Sequence, residues 1–252
     1  MPALVNRGLA LLELKQYVRA LADFDHARAL GAHDASVSAG RGIALEGLGR
    51  HREADTAFAD CFARAVGLPP STRARLAWAY GFAISGRDPD KARAAFDEAL
   101  QHEPRNAQAL YGHGMLAMSQ GKNAEAIRGF DQALAADPSR IEARRYRAIV
   151  LARQGEWDRA TQEVNWCLEH EPRSAATLYA AACVVARVFE KAGTTAISGQ
   201  ALDLLERAFT AGADLAKAAT DPDLAAICRL SRFKRLIRGA RGPAGASSSR
   251  PG

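Results

Sequence analysis

Apolar and small residues stand three and four positions apart through most of this chain, in short runs broken by glycine or proline. That spacing places them on one side of an α-helix, so each run predicts an amphipathic helix. The stretch GKNAEAIRGFDQALAADP (121–138) shows the scheme: Ala126 and Ala133 flank Phe130, glycine opens the run and Asp-Pro closes it. Shifted by 34 residues it returns as GEWDRATQEVNWCLEHEP (155–172), and with small slips it stands at 86–104, 49–66 and 15–32. Ala20, Ala54, Ala92, Ala126, Ala160 and Ala201 form one column, and Phe24, Phe58, Phe96, Phe130, Val164 and Leu205 form the next. Ala27, Cys61, Ala99, Ala133, Cys167 and Ala208 form a third. A second run precedes each copy, with a small residue at Gly8, Gly42, Gly114, Ala148 and Ala182. In the third copy Tyr80 falls in that column with Gly81 beside it, after four extra residues, PPST (69–72). About seven extra residues separate the two runs of the sixth copy, near KAGTTAISGQ.

A fixed period in this range is the mark of stacked helix pairs. The small columns have a mechanical reason. Two antiparallel helices approach to roughly 8–10 Å between axes only where the contact residues are small. Ala126 and Ala133 permit the approach, and Phe130 fills the space left between them. Gly49, Gly121 and Gly155 mark the turn inside a pair, while Pro104, Pro138 and Pro172 mark the exit, because proline cannot continue a helix. Lys15 stands where the first copy would carry its turn glycine, and Ala32 and Val66 stand where two exits would carry proline.

These residues resemble the tetratricopeptide repeat over about residues 1–211, most closely in the copy at 107–140. The resemblance implies an all-α, right-handed superhelical solenoid of about six helix-turn-helix repeats, with first helices lining a concave face that binds peptides or protein segments. The repeats are expected at about 1–34, 35–68, 73–106, 107–140, 141–174 and 175–211, followed by capping helices over 212–238 and a disordered tail over 239–252. Residues 177–188 and 201–237 look like the C-terminal module that ends such arrays in many bacterial proteins, some of which carry a kinase domain upstream. The chain itself holds no glycine-rich phosphate loop, no His-Arg-Asp and no Asp-Phe-Gly. A regulatory segment of a larger signalling enzyme, such as a bacterial protein kinase, is therefore the alternative to a free-standing scaffold.

Charge narrows the choice of partner. The formal net charge is +6, yet seven of the 34 lysines and arginines lie from Arg229 onward, where no acid stands. The preceding 228 residues are near neutral, which argues against a general nucleic-acid binder. A membrane contact would have to run through the basic residues of 229–241. In 223–238, Leu224, Ile227, Leu230, Phe233, Leu236 and Ile237 form an apolar stripe, and Asp221-Pro222 is a helix start, so one amphipathic helix is expected there, covering the last repeat. The four cysteines, at 61, 167, 183 and 228, form no C-x-x-C pair and no zinc spacing with the scattered histidines, so neither metal nor cofactor is expected. With no signal-peptide pattern at the N-terminus, a cytoplasmic setting is expected.

Arg7, Arg41 and Arg147 stand beside the small residue of their first helices; an acid follows 16 positions later as Asp23 and Glu163, while Ala57 takes that place after Arg41. These read as structural ion pairs between paired helices. No paired catalytic carboxylates and no activated serine or cysteine arrangement stand out, so a non-catalytic protein is expected. First-helix residues turned away from the second helix are the candidate groove: Tyr111, Met115, Met118, Arg145, Ile149, Arg153, Tyr179, Cys183 and Arg187. Aromatics, methionine and arginine are the types enriched at interfaces. Arginine forks among them suit an extended peptide or partner protein with an acidic or carboxylate end. The lysine-asparagine-arginine clamp of chaperone-binding repeats is not evident, since Val5, Leu9 and Gly40 stand at the corresponding places.

Overall fold

The structure is a computed structural model and describes residues Pro2–Gly239. The tail expected at 239–252 lies, apart from its first residue, outside them. Every regular element among the described residues is helical. Contacts divide the chain into two compact units, one of residues up to Gly121 with Gln132–Pro138, the other of Lys122–Asp131 with the chain from Ser139 onward.

In the first unit α1 (Pro2–Glu13) pairs with α2 (Tyr17–Ala29), α3 (Ala35–Gly47) with α4 (His51–Ala65), and α5 (Pro70–Ile84) with α6 (Pro89–His102). The first helices also adjoin one another, α1 to α3, α3 to α5, and α5 to α7 (Ala107–Ser119). Residues of α8 (Asn123–Ala136) are divided between the units. The second unit pairs α9 (Ile141–Arg153) with α10 (Trp157–His170) and α11 (Ala175–Ala192) with α12 (Thr195–Thr210), and α9 adjoins α11. It ends in α13 (Leu215–Thr220), a 3-10 turn at Pro222–Leu224 and α14 (Ser231–Gly239).

Local chemistry sets these boundaries. Asp34, Asn106 and Ser174 cap first helices by accepting from the backbone N–H three residues on. The turns inside the pairs close through one repeated hydrogen bond, Gln16 N–H to Leu11 O at 2.8 Å, Arg50 to Leu45 at 2.9 Å and Glu156 to Leu151 at 3.0 Å. That closure needs a left-handed residue, which Gly49 (φ 72°) and Gly155 (φ 80°) supply at no steric cost. Lys15 occupies the same conformation at φ 55° with a side chain attached. α6, α8 and α10 each end two residues before Pro104, Pro138 and Pro172. Where those prolines are missing, Gly31 (φ 92°) and Gly67 (φ 83°) carry the exits instead.

The core is a series of phenylalanine rings laid against bare helix backbone. Phe24, Phe58, Phe96 and Phe130 are fully or almost fully buried, as are the alanines and cysteines of the flanking columns. A Cβ on Gly8 would stand 2.9 Å from Phe24 Cζ, and one on Gly42 would stand 2.8 Å from Phe58 Cζ. Phe96 meets Gly81 within its own pair and Gly112 on the next first helix, each leaving under 3 Å for a Cβ. Gly81 therefore does in the third copy what Gly8 and Gly42 do in theirs. The displaced Tyr80 packs edge-on to Phe58, with ring centroids 4.8 Å apart.

The single helix expected over 223–238 is broken in the structure. Pro222–Leu224 form a 3-10 turn, and α14 begins only at Ser231. One local and one tertiary demand hold the turn: the Asp221 carboxylate accepts from Asp223 N–H at 2.9 Å, and the Asp223 carboxylate is fixed by arginines of two other helices. A side chain bonding its own backbone competes with helix formation at such a place.

Candidate functional site

The column one residue after the small position runs Leu9, Ile43, Phe82, Met115, Ile149 and Cys183. In the first unit this column is open. Leu9 is 43% exposed and Phe82 50%, and Ile43 and Met115 are half-buried. Trp78, one turn before Phe82, stacks on it with ring centroids 5.6 Å apart. Tyr111 is only 8% exposed, and Met118 is half-buried. Neither this column nor the one four residues before it (Val5, Ala39, Trp78, Tyr111) carries a charge in this unit.

In the second unit the same column is closed. Ile149 is buried and Cys183 is 1% exposed. Around them Arg145, Arg153, Tyr179 and Arg187 have all found partners. Arg145 donates to Glu171 at 3.0 Å and to Thr177 at 3.2 Å. Arg153 grips Asp223 with two nitrogens, Nε to Oδ1 at 2.9 Å and Nη2 to Oδ2 at 2.7 Å. Arg187 Nε reaches the same carboxylate at 3.2 Å and its Nη1 reaches Glu190 at 3.0 Å. The Tyr179 hydroxyl donates to Asp221 at 2.8 Å, and Lys217 lies 5.1 Å above its ring. Asp223 is 3% exposed, and Leu224 and Ile227 beside it are fully buried. So the structure gathers six of the nine groove candidates in this unit and turns four of them, Arg153, Tyr179, Cys183 and Arg187, toward the chain's own 221–227. The sequence reading missed Leu9, Ile43, Trp78 and Phe82, which share columns with Met115 and Tyr111, and it missed Asp221 and Asp223 as their counterparts.

The arginines beside the small residues form bridges between helices. Arg7 meets Asp23 through two bonds, of 2.7 and 2.6 Å, and Arg147 meets Glu163. Arg147 also reaches back 16 residues to Asp131 at 2.6 Å, and Arg41 reaches back the same distance to Asp25. His113 repeats that step onto Asp97 at 3.0 Å. The position thus points both forward within its pair and backward to the second helix of the preceding one. A further tie joins α3 to α4, where Ser38 Oγ donates to Asp60 at 2.6 Å and Arg64 adds a bond of 2.8 Å. These two donors hold the Asp60 carboxyl down at about 2.

Burial pushes the Cys61 thiol up to about 12 and that of Cys167 to about 11, and raises Cys183 well above its ordinary value, with Asp221 and Asp223 adding to the effect. Thiols so placed are not thiolate nucleophiles. Among the described residues no group of three or more His, Cys, Asp or Glu could hold a metal ion. None of the described helices is long and apolar enough to cross a membrane. The basic residues Arg229, Lys234, Arg235 and Arg238 are exposed, while Phe233 on the same segment is buried and Arg232 pairs with Asp203 and Glu206. A hollow of about 610 Å³ opens there, lined by Phe209, Leu215, Arg235 and Leu236 among others.

Residues 83–129 and 111–165 match the model of a family described as tetratricopeptide repeat. Cellulose synthase operon protein C of Komagataeibacter xylinus is 35% identical over 104 residues, 41% of this chain and 8% of that protein. Cellulose synthase 1 operon protein C of the same organism is 42% identical over 86 residues, 33% of this chain and 6% of that protein. The chain thus spans less than a tenth of the length of these relatives. Among solved structures, PilW, a widely conserved type IV pilus biogenesis factor, superposes with a TM-score of 0.64 at 18% identity, covering 90% of this chain and 97% of that one. PilF of Pseudomonas aeruginosa gives 0.61 at 19% identity, covering 84% and 92%. At such identities the likeness is one of fold.

Proposed function

We propose that this chain, a tetratricopeptide repeat protein by its match over residues 83–129 and 111–165, is a non-catalytic scaffold that holds a partner protein on the first helices of its N-terminal unit. The observation that carries this reading is the open column Leu9, Ile43, Phe82 and Met115, with the Trp78–Phe82 stack at its centre. A fold that buries every other phenylalanine of its repeat columns leaves this one half in water. Covering one such side chain stabilises a complex by roughly 1–2 kcal/mol, at about 25 cal/mol per Å² of apolar surface removed from water. Large aromatic side chains also dominate the binding energy of interfaces. Because neither the open column nor the largely buried one four residues before it carries a charge in this unit, the partner segment that fits is apolar rather than acidic.

The buried thiols of Cys61 and Cys167, raised by that burial, fit a packing role for these cysteines. Four unpaired cysteines support a reducing compartment. A place as the regulatory segment of a kinase draws no support from the curated relatives, which are named for cellulose synthase operons. The test is capture of partners by the full chain and by a Trp78→Ala, Phe82→Ser variant, quantified by mass spectrometry. Loss of specific partners from the variant, with an unchanged circular-dichroism spectrum, supports the reading. Equal recovery by both proteins removes it.

A further inference from the structure

The C-terminal unit shows two separate attachments of the chain end. α14 lies against α12, through buried Phe233 and the Arg232 bridges to Asp203 and Glu206. That contact is made on the second helix of the last pair. The segment at 221–224 does something else. It lies on the first helices, at the register that is left open in the N-terminal unit, and it is reached from two consecutive repeats. Arg153 and Arg187 stand 34 residues apart in equivalent positions and converge on the one carboxylate of Asp223. Tyr179 takes the carboxylate of Asp221. Two acids two residues apart, with a proline between them, are thus read by two guanidinium groups and a phenol.

We propose that the α9/α11 face is a receptor for acidic peptide segments carrying two carboxylates two residues apart, and that Asp221-Pro222-Asp223 of this chain is its resident occupant, which a partner's segment must displace. The proposal rests on the scaffold reading and adds the ligand class and the regulation of its second face. The chemistry suits such a ligand. Bidentate guanidinium–carboxylate pairing fixes direction as well as charge. Proline fixes one backbone angle and biases the preceding aspartate to an extended form, so little freedom is lost on docking. Asp221 has that form, at φ −71° and ψ 119°. A tethered segment acts at an effective concentration near millimolar, and it lowers the apparent affinity for any competitor by the fraction of time the face stands empty.

The test uses the full chain and a fluorescein-labelled synthetic peptide with the sequence of residues 217–227, followed by anisotropy. The variant Asp221→Asn, Asp223→Asn weakens the resident and is expected to bind the peptide at least ten-fold more tightly than the natural chain. Adding Arg153→Ala to that variant abolishes the gain, and a peptide with both acids changed to asparagine does not bind. A folded variant that binds no better than the natural chain overturns the proposal. Should the variant lose its helical signal, hydrogen exchange on the natural chain decides. Saturating peptide is expected to speed exchange across 217–227 while α11 keeps its protection, and no change there overturns the proposal. Partner capture through Trp78 and Phe82 is read separately, so failure of one test does not imply failure of the other.

Discussion

Arg153 and Asp223 lie 70 residues apart in the chain and meet through a two-point bridge whose shortest bond is 2.7 Å. The carboxylate is almost wholly out of water, and Arg187 shares it. Such a bridge is costly to break from one side, because the partner left behind keeps its desolvation cost. Asp223→Asn keeps the shape and removes the charge. It is expected to lower stability by about 2 kcal/mol, the scale of a hydrogen bond to a charged group. A urea titration followed by circular dichroism measures it, and an unchanged midpoint would show that the bridge contributes nothing net.

Gly42 faces Phe58 with no room for a side chain, a Cβ falling 2.8 Å from the ring. Gly42→Ala gains about 1 kcal/mol of helix propensity but loses about 1–3 kcal/mol to overpacking. The net expectation is destabilisation. Pairing it with Phe58→Leu should recover part of the loss, since contacting sites are not additive. Strict additivity of the two changes would refute the contact. Ala126→Leu, at a fully buried position of the alanine column, should cost the same 1–3 kcal/mol.

Lys15 holds a left-handed conformation that glycine holds in the turns at 49 and 155. Lys15→Gly relieves a conformation that costs a side-chain-bearing residue roughly 1–2 kcal/mol, against a glycine entropy cost of about 0.4–1 kcal/mol. A gain of about 0.5–1 kcal/mol follows, read as a higher melting temperature. A lower one would mean that the lysine makes a contact worth more than the strain.

Phe82 and Ile84 are two residues apart on α5, one half exposed and the other fully buried. Ile84→Ala is expected to cost about 2–5 kcal/mol, whereas Phe82→Ser should change stability by less than about 0.5–1 kcal/mol. Equal costs would mean that Phe82 is part of the core rather than of a docking face.

Acid should loosen the tie between α3 and α4. The Asp60 carboxyl is depressed from 3.8 to about 2 by Arg64 and Ser38. A depressed carboxyl contributes stability that is fully present above the unfolded value and lost as pH falls through the folded one. The contribution, at most about 1 kcal/mol after solvent screening, should therefore vanish between about pH 4 and pH 2. Comparing the natural chain with Asp60→Asn at pH 5, 3 and 2 measures it. The difference should shrink toward zero at the lowest pH, and a gap that persists there would assign the stability to packing instead.

The helices were legible in the sequence because burial on one face leaves a period, and the repeat of 34 multiplied that signal. Phe130 between Ala126 and Ala133 was enough to imply a ring filling the space between close helices, and Phe24, Phe58, Phe96 and Phe130 are buried as that pattern requires, whereas the approach of the first three to bare glycine backbone came from the structure. Turn glycines and exit prolines marked most ends for local reasons that do not depend on the rest of the molecule. The first-helix columns that line a face were legible too, and Arg153, Tyr179, Cys183 and Arg187 could be picked out from them.

Tertiary structure alone decided what those columns meet. A periodic pattern reports that a residue is covered but not by what, so Cys183 under its own C-terminal segment and Met115 at an open face look alike in one dimension. The same holds for Arg41, whose acid lies behind it at Asp25, and for Gly81, which takes over the packing of its register when Tyr80 is displaced. The break in 223–238 was invisible as well, because the charges that bend it at Asp223 come from helices 36 and 70 residues away. Local propensity and periodicity write the rods into the chain, whereas long-range ion pairs, chosen only when the chain has folded, determine which faces stay open and which are covered.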